Sequence, residues 1–127
     1  MKKFLISVLS ALLVLSLTVP AFAADPALIG IPDDGTNLSR GIKLLEAAGL
    51  LKVDPAAGYT PEVADITEYL YNIEVVPVTA NTLASTLDDY AASTINGTYA
   101  IPYGLVPSKD GLIIEKQDES GENPYVN

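Results

Sequence analysis

Neither cysteine nor histidine occurs in the 127 residues, and tryptophan is missing too. Without cysteine there is no disulfide framework, no thiolate metal site and no residue to carry the lipid of an exported lipoprotein. Without histidine there is no imidazole zinc ligand and no imidazole general base, and the two absences together eliminate Ser-His-Asp and Cys-His nucleophile systems. Any chemistry would rest on carboxylates, Lys, Tyr or Ser. Basic residues are scarce as well: 7 Lys and Arg stand against 16 Asp and Glu, for a formal charge of −9. Phosphate recognition needs clustered Lys or Arg, so nucleic acid and anionic lipid are excluded as expected partners. No metal or cofactor is expected.

The one long apolar run lies at the start of the chain. Met1-Lys2-Lys3 precedes an apolar stretch from Phe4 to Val19, and Pro20-Ala21-Phe22-Ala23-Ala24 follows. Residues 1–24 therefore read as a secretory signal peptide, with lysines to stay behind, a helix to enter the translocation channel, and small residues for the peptidase after a proline break. Cleavage is expected after Ala23 or Ala24. A permanent anchor is the weaker reading, because the run is about 16 residues against the roughly 20 that a span needs. Export leaves about 103 residues and, with two lysines gone, takes the formal charge from −9 to −11. A chain of that size buries one core, so a single domain over 25–127 is expected.

The periodicities beyond the leader alternate. Leu28 to Pro32 reads as a buried strand running into the turn-rich Asp33-Asp34-Gly35. A helix capped by Thr36 or Asn37 follows, with Leu38, Ile42, Leu45 and Ala48 at helical spacing and Gly49 as its stop. Leu50 to Gly58 reads as a connection, and Thr60-Pro61-Glu62 predicts a short helix over 61–66. Ile73 to Val78 is rich in β-branched residues and predicts a second strand, with a helix over 81–88 after it. Ala92 to Ile95 predicts a third strand, 97–104 a helical turn, Lys109-Asp110-Gly111 a turn, and Leu112 to Glu115 a fourth strand. Strands separated by helical segments define an α/β fold with a mostly parallel sheet and helices on both faces, whose ligands collect beyond the carboxyl ends of the strands.

Two polar residues fall at such strand ends. Arg40 is the only arginine in the chain, one turn into the first helix. A guanidinium there can grip a small-molecule carboxylate with two parallel hydrogen bonds, or simply form a surface salt bridge with Asp33, Asp34 or Glu46. Asn96 directly follows the third strand, where its amide can serve a ligand's carboxylate and ammonium or merely occupy a turn before Gly97. Asn96-Gly97-Thr98 also matches the N-glycosylation pattern, a weak signal on three residues. Asp88-Asp89 points its carboxylates apart and reads as a solvated turn. The seven tyrosines fit half-buried packing as readily as the lining of a groove.

Taken in order, Ile31-Pro32-Asp33-Asp34-Gly35-Thr36-Asn37-Leu38-Ser39-Arg40 through Lys52, Leu87-Asp88-Asp89, Ile95 to Ala100, Gly104 to Asp110 and Pro124-Tyr125-Val126-Asn127 resemble the NlpA/MetQ family of substrate-binding proteins. Such proteins feed methionine-type ABC importers. The resemblance covers nearly the whole chain beyond the leader. It implies the second lobe of a type II periplasmic-binding-protein fold, one of two lobes that close on an amino acid such as methionine. It also implies that Arg40 binds the ligand carboxylate, that Asn96 and Asn127 hydrogen-bond the amino acid moiety, and that an importer membrane subunit is a partner. The family's first lobe, which supplies much of the grip on the ligand side chain, has no counterpart here, so weak binding by this lobe alone is expected. The competing expectation is a non-catalytic interaction module that pairs with a separate lobe or a transporter subunit through an exposed edge. An enzyme ranks last.

Overall fold

The computed structural model describes residues 23–117. The leader's first 22 residues and Asn127 lie outside that range.

Three parallel strands form the centre. Strand β1 (Ala27–Pro32) lies between β4 (Ile73–Val78) and β5 (Ala92–Ser93), with Ile29 level with Val75 and Gly30 level with both Val76 and Ser93. Side chains alternate across a strand, so β1 divides its residues between two faces. Ile29 and Ile31 point to one face and join Val75, Ile42 and Leu45 in the buried core, with Ile31 and Ile42 fully buried. Ile42 and Leu45 come from α1 (Gly35–Ala47), whose apolar residues recur every three to four positions and therefore share one stripe. Gly30 points to the opposite face, where Leu83 and Tyr90 lie so close that a Cβ would stand 2.8 Å from Leu83 Cδ2 and 2.8 Å from Ser93 Oγ. Only glycine lets that covering segment approach so near.

Helix α1 is capped two residues before Thr36, the earlier of the two expected caps. Asp34 is the N-cap, and its Oδ1 accepts from the Asn37 backbone N at 3.2 Å. Gly49 ends the helix as anticipated, with φ of 75° and its N bonded to Glu46 O at 2.9 Å.

Four expected elements take a different form. The connection after α1 contains β2 (Leu51–Val53), which pairs antiparallel with β3 (Ile66–Tyr69) as a separate two-stranded ribbon. Glu46 ties this ribbon to α1, because its Oε1 accepts from Val53 N at 3.2 Å. The helix expected over 61–66 is only a 3-10 turn at Val63–Asp65 before β3 begins. The helix expected over 81–88 is instead two 3-10 turns, Ala80–Thr82 and Leu87–Asp89. There the hydroxyls of Thr82, Ser85 and Thr86 bond nearby carbonyls, at 2.7 Å to Thr79 O and at 2.8 and 3.0 Å to Thr82 O. Such local bonds compete with a helical ladder. The fourth strand, Leu112 to Glu115, does not form. It follows α2 (Gly97–Ala100) and α3 (Pro107–Asp110) as irregular chain, with Leu112 94% exposed. Its residues suit a strand, but no described strand pairs with it, and β propensity without a ladder partner or a face to bury does not hold a strand.

Candidate functional site

The carboxyl ends of β1 and β5 open onto the start of α1 and the start of α2, and the polar side chains carried there are joined. Asn37, three residues before Arg40, sits on the same side of the first turns of α1. Its Oδ1 accepts from Asn96 Nδ2 at 2.7 Å and from Arg40 Nη1 at 3.3 Å, and its own Nδ2 donates to Asp34 Oδ1 at 2.8 Å. Asp34, Asn37, Arg40 and Asn96 thus form one hydrogen-bonded path along the sheet edge. Asn37 is its junction.

Asn96 has the backbone of a helix N-cap, with φ of −66° and ψ of 139°, yet its side chain does not cap α2. It turns across to Asn37 instead. Its Oδ1 is buried and has no hydrogen-bond partner among the described residues, and the same holds for Thr94 Oγ1 and Ser93 Oγ nearby. A buried acceptor without a partner costs about 1–3 kcal/mol, which favours a role at this edge beyond packing.

Arg40 meets a carboxylate that the local sequence does not reveal. Its Nε donates to Glu115 Oε1 at 3.1 Å and to Oε2 at 3.2 Å, and its Nη2 pairs with Oε2 as well. Asp33, Asp34 and Glu46, the partners anticipated from spacing, do not pair with it: Asp34 caps α1 and Glu46 pairs with Lys43. The hydrogen bond to Glu115 raises the guanidinium pKa above its ordinary value, with burial opposing, so Arg40 stays cationic at any working pH. The side chains of Arg40 and Glu115 remain 32% and 28% exposed. Both line an open cleft of about 1090 Å³, together with Asn37, Thr94, Asn96 and Ile113.

Of the three residues expected to bind a ligand, Arg40 and Asn96 come together through Asn37, and Asn127 lies outside the described residues. Asn37 and Glu115 were missed. Spacing could have pointed to Asn37, which lies three residues from both Asp34 and Arg40. Nothing local could have pointed to Glu115, 75 residues from its partner. Asp88 and Asp89 are exposed in a turn, as expected. Among the described residues no group of carboxylates could hold a metal ion, and no helix is long and apolar enough to cross a membrane.

A parallel sheet with a linked cation and amides at its carboxyl edge, opening on a cleft, makes an α/β lobe whose candidate binding edge lies where such sheets collect ligands. Solved structures share the fold. The crystal structure of the methionine-binding protein MetQ superposes with a TM-score of 0.70 at 36% identity, over 77% of this chain and 41% of that one. Immunogenic lipoprotein A from Vibrio vulnificus gives 0.71 at 42% identity, over 78% and 43%. A nutrient-binding protein from Burkholderia cenocepacia, described as bound to methionine, gives 0.69 at 30% identity, over 72% and 39%. The NlpA lipoprotein profile matches residues 22–127, and the chain belongs to that family. The D-methionine-binding lipoprotein MetQ of Escherichia coli K12 is 40% identical over 105 residues, which is 81% of this chain and 37% of MetQ. A probable D-methionine-binding MetQ of Vibrio cholerae is 43% identical over 103 residues, again 81% and 37%. The chain thus spans little more than a third of the length of these relatives, which are binding proteins rather than enzymes.

Proposed function

We propose that this chain is the second lobe of an exported solute-binding protein that serves an ABC importer, and that its cleft takes methionine or a related amino acid. Export is supported by the leader-like pattern read in residues 1–24 and by relatives named as lipoproteins. Arg40 binds the ligand's carboxylate, while Asn96 and Asn127 hydrogen-bond its amino acid moiety. The observation that carries the reading is the path from Asp34 through Asn37 to Arg40 and Asn96 at the carboxyl edge of the sheet. It supplies a charge-assisted donor fork and amide groups within one cleft, which is the complement of an α-amino acid.

One wall of a cleft removes less ligand surface from water than two, so this chain alone binds far more weakly than an enclosed site. Titration calorimetry with L- and D-methionine tests the reading. Binding weaker than micromolar that Arg40→Ala abolishes agrees with it, and heat that is unchanged in Arg40→Ala contradicts the site.

A second reading is an interaction module that pairs with a separate lobe or a transporter subunit. It is favoured by the exposed apolar side chains Ile101, Tyr103, Leu112 and Ile114 after β5. Sedimentation at rising concentration separates the two, since a monomer that binds methionine supports the first.

A further inference from the structure

A guanidinium carries five N–H donors in a planar fork. In Arg40 the Nε hydrogen and one Nη2 hydrogen go to Glu115, and one Nη1 hydrogen goes to Asn37. The end-on edge between Nη1 and Nη2 is not the edge that Glu115 takes, and an edge of that kind matches the two oxygens of a carboxylate. Glu115 therefore leaves the cation usable. It grips the side-on edge and fixes the plane of the group, while Asn37 steadies the same group from α1.

The pairing also changes the charge that a ligand meets. Arg40 and Glu115 together are neutral, and the neighbouring Asn37 and Asn96 are neutral amides. A plain carboxylate docking on the end-on fork brings a second anion to a cation that already has one, in a chain of net charge −9. A zwitterion brings its own ammonium. The buried Asn96 Oδ1, without a partner among the described residues, is an acceptor on the same hydrogen-bonded path.

We infer that Glu115 is the positioning and specificity-determining residue of this site: it holds Arg40 by its side-on edge, leaves the end-on fork for the ligand, and makes the cleft prefer a zwitterionic α-amino acid over the plain carboxylic acid with the same side chain. This rests on the carboxylate-binding role proposed for Arg40.

Arg40 is the only arginine, so its Nε–H gives a single, assignable signal in a nitrogen-15 correlation spectrum. Following that signal while titrating L-methionine, and separately 4-(methylthio)butanoate, measures both affinities even when they are weak. The wild-type protein is expected to prefer methionine. Glu115→Gln is expected to shrink that preference by about two- to fivefold, the size of effect that a partly exposed charge pair supports. Glu115→Asp, which restores the charge, is expected to recover most of the preference. An unchanged preference in Glu115→Gln, with methionine still moving the Arg40 signal, overturns the role of Glu115 and leaves the Arg40 site standing. Methionine binding that survives Arg40→Ala undiminished overturns the site and the inference together, as does a wild-type Arg40 signal that neither ligand moves.

Discussion

The half of the lobe built from β1, α1 and β4 and the segment from Ile101 to Glu115 are both rich in Ile, Leu and Val, yet they are held in different ways. In the first, Ile31 and Ile42 are fully buried and Val75 and Ile29 nearly so. In the second, Ile101 is 64% exposed and Leu112 94%, and among the described residues the long-range side-chain hydrogen bonds are those between Glu115 and Arg40. The difference is one of partners. A run of β-branched residues becomes a strand when a ladder and a face await it, and the same composition stays irregular when neither does. The first region is fixed by packing and the second is tethered by charge, so the site joins a rigid wall to a lightly held one.

Substitutions can break that contrast, beginning with the core. Ile42→Ala should cost about 2–5 kcal/mol of stability, read as a lower midpoint in urea unfolding, because it removes a fully buried side chain from the contact between helix and sheet. Gly30→Val should cost about 1–3 kcal/mol in the same measurement, since the new Cβ meets Leu83 and Ser93 at 2.8 Å. Glu115→Gln should change global stability by less than about 1 kcal/mol, as expected for a partly exposed pair. It should nevertheless speed amide hydrogen exchange over residues 107–117 while leaving β1 and β4 unchanged. Leu112→Ser should stay within about 0.5 kcal/mol of the wild type. A Leu112 effect as large as that of Ile42 would erase the distinction between the two regions.

The same contrast explains what could be read from the sequence. Strands β1 and β4 and helix α1 were legible because each carries its own periodicity and meets a partner that buries it. Helix α1 was misjudged only at its cap, where Asp34 rather than Thr36 or Asn37 does the bonding. The ribbon of β2 and β3 was missed because strands of three and four residues carry too little pattern to stand out. Leu83 and Leu87 have helical spacing, but Thr82, Ser85 and Thr86 compete for the backbone carbonyls. At the site, Arg40 and Asn96 could be placed at strand ends from local order alone. Their junction at Asn37 and the reach of Glu115 are tertiary facts: the Glu115 pair closes over 75 residues, beyond any local signal.

The most direct test of the central claim, that the carboxyl edge of the parallel sheet is an amino acid site, is a methionine titration that follows the side-chain amide signals of Asn37 and Asn96 together with the Arg40 Nε–H. All three should shift along one saturation curve while the β2 and β3 ribbon stays still. Shifts confined to the exposed segment after β5, or none at these three side chains, would contradict it.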